Sequence, residues 1–180
     1  MIPAFVEMSS LVTLLASGRA PEIVAHHALA LTLLPVCARR VTELAQHADF
    51  DEQLRVLQRR GQLITTPARG DVRTTLRLAE HLDTTTSTLA SAALNAEPPV
   101  VLLSDDARTL RTLQRERPDL SLVTALYLLR TWQPHSNEDS VALLTRVGRW
   151  FTPTHTHPEG NWWRGHVALE GQRSTAYQRD

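Results

Sequence analysis

The sequence contains no lysine and a single cysteine, Cys37. One cysteine cannot build a disulfide framework, which excludes the small crosslinked secreted classes and makes a cytoplasmic location the default. No apolar run approaches the ~18 residues a spanning helix needs, so no membrane contact is expected. The first residues lack the basic region and long apolar segment of a secretory signal. Excess charge is missing too: 19 basic residues face 19 acidic ones. No global field therefore draws in nucleic acid, and any such binding must be local. All 19 basic residues are arginine, and so uniform a bias says nothing by itself about phosphate recognition, though the guanidinium suits it. A glycine-rich phosphate loop is absent, since Gly70-Asp71 is too short a signal. Ser9 and Ser10 have no identifiable His and acid partners, which sets triad hydrolysis aside.

What is present suits one globular domain with a small appendage. The chain has 180 residues, 42% of them hydrophobic and 21% charged, enough to bury a sizeable core. Strand-like and helix-like segments alternate, which points to βαβ units and a parallel sheet. The chain is organised around Val100 to Leu110, VVLLSDDARTL. Its apolar run reads as a short strand buried on both faces. Ser104, Asp105 and Asp106 break the run, and Ala107 to Arg117 reads as a helix. In an open parallel sheet, ligands bind beyond the carboxyl ends of the strands. Two aspartates there can hold a hard cation through oxygen. The plainer reading is that one of them only caps the helix.

The same pattern opens the chain. Ala4-Phe5-Val6 reads as a strand and is followed by Glu7, with Ser9 or Ser10 as the cap of a helix that Gly18 stops. Pro21 starts a helix to His27; Leu29 to Leu34 reads as a strand or as more helix. Val36 to His47 is a helix carrying Glu43, either aimed at the site or paired with Arg39 or Arg40 at its boundary. Helices are expected over Asp51 to Arg60, Asp71 to Leu82 and Thr86 to Leu94, and strands over Leu63 to Thr66 and Leu120 to Val123. After the helix from Ala125 to Trp132, Ser136 or Asn137 should cap another that runs to Trp150. Residues 1–133 form the expected domain. Residues 134–180 supply a C-terminal helix and a polar tail, expected to be irregular from Thr152 onward.

Phe5-Val6-Glu7 with the helix after it, Val41-Thr42-Glu43-Leu44, and Val100 to Leu110 followed by Leu122-Val123-Thr124-Ala125-Leu126 together resemble the PIN-domain family. The resemblance covers roughly residues 3 to 132. It implies a three-layer α/β/α sandwich around a central, mostly parallel sheet of about five short strands. It also implies a Mg²⁺- or Mn²⁺-dependent ribonuclease, often the toxin of a toxin–antitoxin pair. Carried over residue by residue, Glu7, Glu43, Asp105 and Asp106 are the catalytic candidates. Glu7, Glu43 and Asp105 are the metal ligands, with Asp83 a weak fourth. RNA, an antitoxin or other protein, and a second copy are the implied partners. Three departures stand out. Glu7 replaces the family's first Asp, and Thr13 stands where an Asn is common. No carboxylate occupies Thr85 or Thr86, where the third acid belongs; Asp83, or more remotely Asp71, would have to compensate. With so altered an acid set, the alternative is a module that binds RNA or a protein without cutting.

Two further signals lie in the tail. His155, His157 and His166 can be read as a zinc set, or as solvated loop residues. Trp162-Trp163 can stack on bases, or cover an apolar edge of the fold. Arg108 and Arg111 lie close to the acidic turn in sequence; helix-surface solvation is their simpler role.

Overall fold

Ala4, Phe5 and Val6 run parallel to Val101, Leu102 and Leu103, and residues 2–5 run parallel to residues 29–32 on the other side. This strand, β1 (Ile2–Val6), is the centre of a five-stranded sheet completed by β2 (Leu29–Leu33), β3 (Leu63–Thr65), β4 (Val101–Leu103) and β5 (Ser121–Val123). The order is β3-β2-β1-β4-β5 and every neighbouring pair is parallel. The computed structural model describes residues 1–48, 50–67, 70–136 and 139–166.

The helices follow from the crossovers. α1 (Met8–Ala16) and α2 (Ala20–His26) link β1 to β2, and α3 (Pro35–Ala48) and α4 (Asp51–Arg59) link β2 to β3. The chain then reverses across the sheet through α5 (Val72–Ala79) and α6 (Thr84–Asn95) to β4, and through α7 (Ala107–Glu116) to β5. Right-handed crossovers require helices on opposite faces for the two directions of travel. The contacts agree: α1 packs with α2, α3, α8 (Ala125–Trp132) and α9 (Ser140–Gly148), whereas α6 packs with α5, β1 and β4. The result is a three-layer α/β/α sandwich, the architecture the sequence implies. Among the described residues, no helix is long and apolar enough to cross a membrane.

The core forms where apolar stripes meet the sheet. Leu11, Leu14 and Leu15 of α1, Leu31 and Leu33 of β2, and Leu102 and Leu103 of β4 are buried. Each such side chain contributes roughly 1.5–3 kcal/mol by leaving water. On α3 the buried stripe is Cys37, Val41 and Ala45, spaced four residues apart.

Several local expectations are corrected. Ser9 and Ser10 do not cap α1, which starts at Met8 with Glu7 in the cap position and no side-chain cap bond. The helix begins directly after β1, so both serines fall inside it. α9 is shorter than expected and is capped by Asp139, which accepts from the Val141 amide at 2.9 Å. Of the expected caps, Ser136 ends the preceding 3-10 turn, and Asn137 lies outside the described residues. The tail is more ordered than its composition suggests. Residues 160–166 are helical, and Trp163 joins the core while His157 and Glu159 are buried. Residues 167–180 lie outside the described part.

Candidate functional site

Val6 and Leu103 are register partners, so the residues that follow them emerge side by side. The Glu7 amide donates to the Leu103 carbonyl at 3.1 Å. The connections from β1 and β4 leave in opposite directions, which opens a crevice at the sheet's topological switch point. Across it the Ser104 hydroxyl donates to Glu7 Oε2 at 2.6 Å and accepts from the Asp106 amide at 3.1 Å.

Glu7 is only 7% exposed, and its Oε1 is buried without a hydrogen-bond partner. Burial raises its pKa to about 7. The hydroxyls of Ser104 and Thr86 pull the other way, and the charges of Asp106 and Asp83 add to the rise.

Those two aspartates are helix caps. Asp83 Oδ1 accepts from the amides of Thr85 and Thr86 at 2.9 and 3.0 Å, and its Oδ2 accepts from the Thr86 hydroxyl at 2.7 Å. Asp106 Oδ1 accepts from the Arg108 amide at 3.2 Å. Its Oδ2 accepts from the Thr109 amide at 2.9 Å and the Thr109 hydroxyl at 2.8 Å. Partial burial works against both carboxylates, but the hydrogen bonds outweigh it and hold each pKa below the ordinary value. The site thus pairs one carboxyl held near neutrality with two that stay ionised.

A cavity of about 340 Å³ brings these groups together. Glu7, Asp83 and Asp106 line it, with Ser9, Thr85 and Thr86 supplying hydroxyls and Cys37 and Arg40 coming from α3. Cys37 is buried; burial pushes its thiol pKa up, against the Arg40 charge.

Of the acids expected from sequence, Glu7, Asp106 and Asp83 meet here. Glu43 does not: it is exposed on α3 and does not line the cavity. It lies about 60° around α3 from Arg40 but nearly one turn further along the axis, past Val36, Cys37 and Arg40, which line the cavity. Arg40, on the cavity side, holds the place instead. Asp105 is at the same rim but turned away. Its Oδ1 accepts from the Ala125 amide at 2.9 Å and lies 3.4 Å from His157 Nε2. Its Oδ2 is buried without a partner. Asp71 caps α5 by accepting from the Thr74 amide at 2.7 Å, and it does not line this cavity. Ser104 was missed as the anchor of Glu7; its place directly after a buried strand was the available signal.

The tail histidines do not converge. The Glu159 amide donates to His157 Nδ1 at 3.1 Å, which leaves Nε2 to carry the proton toward Asp105. His155 lies near Arg164, and His166 bonds to the Trp162 carbonyl.

Among the described residues, no three His, Cys, Asp or Glu side chains stand close enough to hold an ion together. A Mg²⁺-like ion, however, takes one or two protein carboxylates and completes its shell with water and phosphate oxygens. Glu7 Oε1, free of hydrogen bonds and flanked by two anionic carboxylates, suits one such contact. The residues fit a water-rich, weakly held ion and not a preassembled multi-carboxylate centre.

No family model, no curated protein and no solved structure matches the chain.

Proposed function

We propose that the chain is a PIN-like, cytoplasmic hydrolase of RNA phosphodiesters assisted by Mg²⁺ or Mn²⁺. One observation carries this reading: a buried carboxylate oxygen of Glu7 without a partner, in a cavity that Asp83 and Asp106 also line, at the switch point of a parallel sheet. Glu7 and Asp106 would hold the ion, with Asp83 adding charge. Bound there, the cation supplies charge neutralisation on the phosphate and a more acidic water. Glu7 gives up its own proton to accept a cation, since only its charged form is a ligand. Arg40 lines the cavity, and its guanidinium would serve a phosphate oxygen there. The hydroxyls of Ser9 and Thr85 orient water or the ribose.

A second reading has its own support. Both aspartates have both oxygens engaged as caps, an arrangement that suits a module which binds RNA or a protein and does not cut. A Mn²⁺ titration at pH 8 separates the two. The first reading expects binding by the parent and by Asp105→Asn, loss in Glu7→Gln, and Mn²⁺-dependent cleavage of single-stranded RNA. A parent that binds no Mn²⁺ overturns it; binding without cleavage favours the second.

A further inference from the structure

Arg108, Arg111 and Arg115 lie three and four residues apart on α7, hence on one side of that helix. The opposite side packs Thr109 and Leu113 into the protein. With His81, Thr112 and Glu116, the three arginines line a groove of about 320 Å³. The one acid among these, Glu116, is bound by Arg77 at 2.6 Å. Among the described residues, none of the three arginines forms a salt bridge. Arg111 Nε donates to the Ala107 carbonyl at 3.0 Å, which steadies that side chain along the helix. In a chain of zero net charge, this is a concentrated local excess of positive charge.

The groove is also placed. It starts at Arg108, whose amide is capped by Asp106, and Asp106 lines the acidic cavity. The two depressions share no lining residue, but Asp106 of one and Arg108 of the other stand two residues apart at the start of α7. From Arg108 to Arg115 the helix rises roughly 10 Å. Over that length, with the reach of the arginine side chains added at each end, the three guanidiniums can meet successive phosphates of one strand. No Phe, Tyr or Trp lines the groove and His81 is the one ring among its lining residues, so it offers little area for stacking bases. Guanidinium forks match phosphate oxygens two at a time.

We infer that this groove binds the phosphate backbone of a single nucleic-acid strand, independent of base sequence, and leads it to the acidic cavity. The inference rests on the phosphodiester reading of that cavity for its choice of ligand, but the groove works without a cation. A labelled single-stranded oligouridylate is titrated by fluorescence anisotropy in EDTA, so that neither ion binding nor cleavage enters. Three contacts predict a log–log salt slope of about −2, or a roughly 20-fold loss of affinity from about 50 to about 200 mM salt. In the double variant Arg108→Gln/Arg115→Gln, the slope falls to about −0.7, and affinity at low salt falls at least tenfold. Circular dichroism stays at the parent value and Mn²⁺ affinity does not fall, since neither arginine lines the cavity and the Arg108 charge that acts on Asp106 opposes a cation. An unchanged slope in the variant, a parent that does not bind the strand, or equal competition by polyglutamate overturns the inference. Strand binding by a parent that holds no Mn²⁺ keeps the groove and removes the catalytic reading.

Discussion

The Ser104 hydroxyl is hydrogen-bonded to Glu7 Oε2 at 2.6 Å, joining the carboxyl ends of β1 and β4. It adds a side-chain tie to the Glu7 amide's bond with the Leu103 carbonyl, and it acts on a carboxyl whose pKa burial has raised to about 7. Ser104→Ala removes the donor that most favours the charged form of Glu7, and also the acceptor of the Asp106 amide. Stability should fall by about 1–3 kcal/mol, and the Glu7 pKa should rise further. Chemical denaturation gives the first quantity; carboxyl-resolved NMR titration gives the second.

Glu7 also sets a pH dependence of stability. Its folded pKa is about 7 against an ordinary 4.5, so the native state binds more protons than the unfolded chain between those values. The contribution is complete below pH ~4.5 and is lost as pH rises through 7, a total of about 3 kcal/mol. Glu7→Gln, which cannot ionise, should erase that slope and be more stable than the parent at pH 8. Denaturation midpoints at pH 5 and pH 8 decide it: parallel pH profiles for parent and variant would mean that Glu7 is not held protonated.

The α/β class, the sheet and most helix positions were legible because they depend on local pattern. Val101 to Leu103 is an all-apolar run, and Asp71, Asp83 and Asp106 stand at helix starts. The acid set was only half legible, because it depends on side-chain direction. Glu43 and Arg40 share one helix and differ by three positions, yet only Arg40 reaches the cavity. Asp105 and Asp106 are neighbours in sequence and serve different elements: the first binds the Ala125 amide, the second caps α7. Nor could composition show that a segment rich in Pro, His and Gly returns to bury His157 and Trp163. Long-range partners, such as Thr124 for Glu159 at 2.6 Å, decide that.

Metal affinity should carry the same proton. If Mn²⁺ binding displaces the Glu7 proton, affinity falls about tenfold per pH unit below 7 and levels off above it. Calorimetry in two buffers of different ionisation enthalpy would report close to one proton released at pH 6 and close to none at pH 8. Glu43→Gln, on the exposed side of α3, should leave the curve where it is. A flat affinity from pH 6 to pH 8 would remove Glu7 from the ligand set.

Asp105 and Asp106 separate fold from site. Asp105 is 5% exposed, its Oδ1 holds the Ala125 amide, and His157 from the C-terminal segment closes over it. Asp105→Ala leaves the buried Ala125 amide and the His157 Nε2 proton without an acceptor, a loss of about 2–4 kcal/mol. Asp106→Ala removes only a cap whose carboxylate is open to the cavity, worth about 1 kcal/mol. The order reverses for the ion: Mn²⁺ affinity should survive in folded Asp105→Ala and drop at least tenfold in Asp106→Ala. Asp106→Asn keeps the cap, because the amide oxygen still accepts from Thr109. It should therefore restore stability without restoring Mn²⁺ binding. Thermal denaturation beside Mn²⁺ titration on the same samples reads both quantities. If Asp105→Ala alone abolished binding in a folded protein, the ion would sit on the His157 side of the rim.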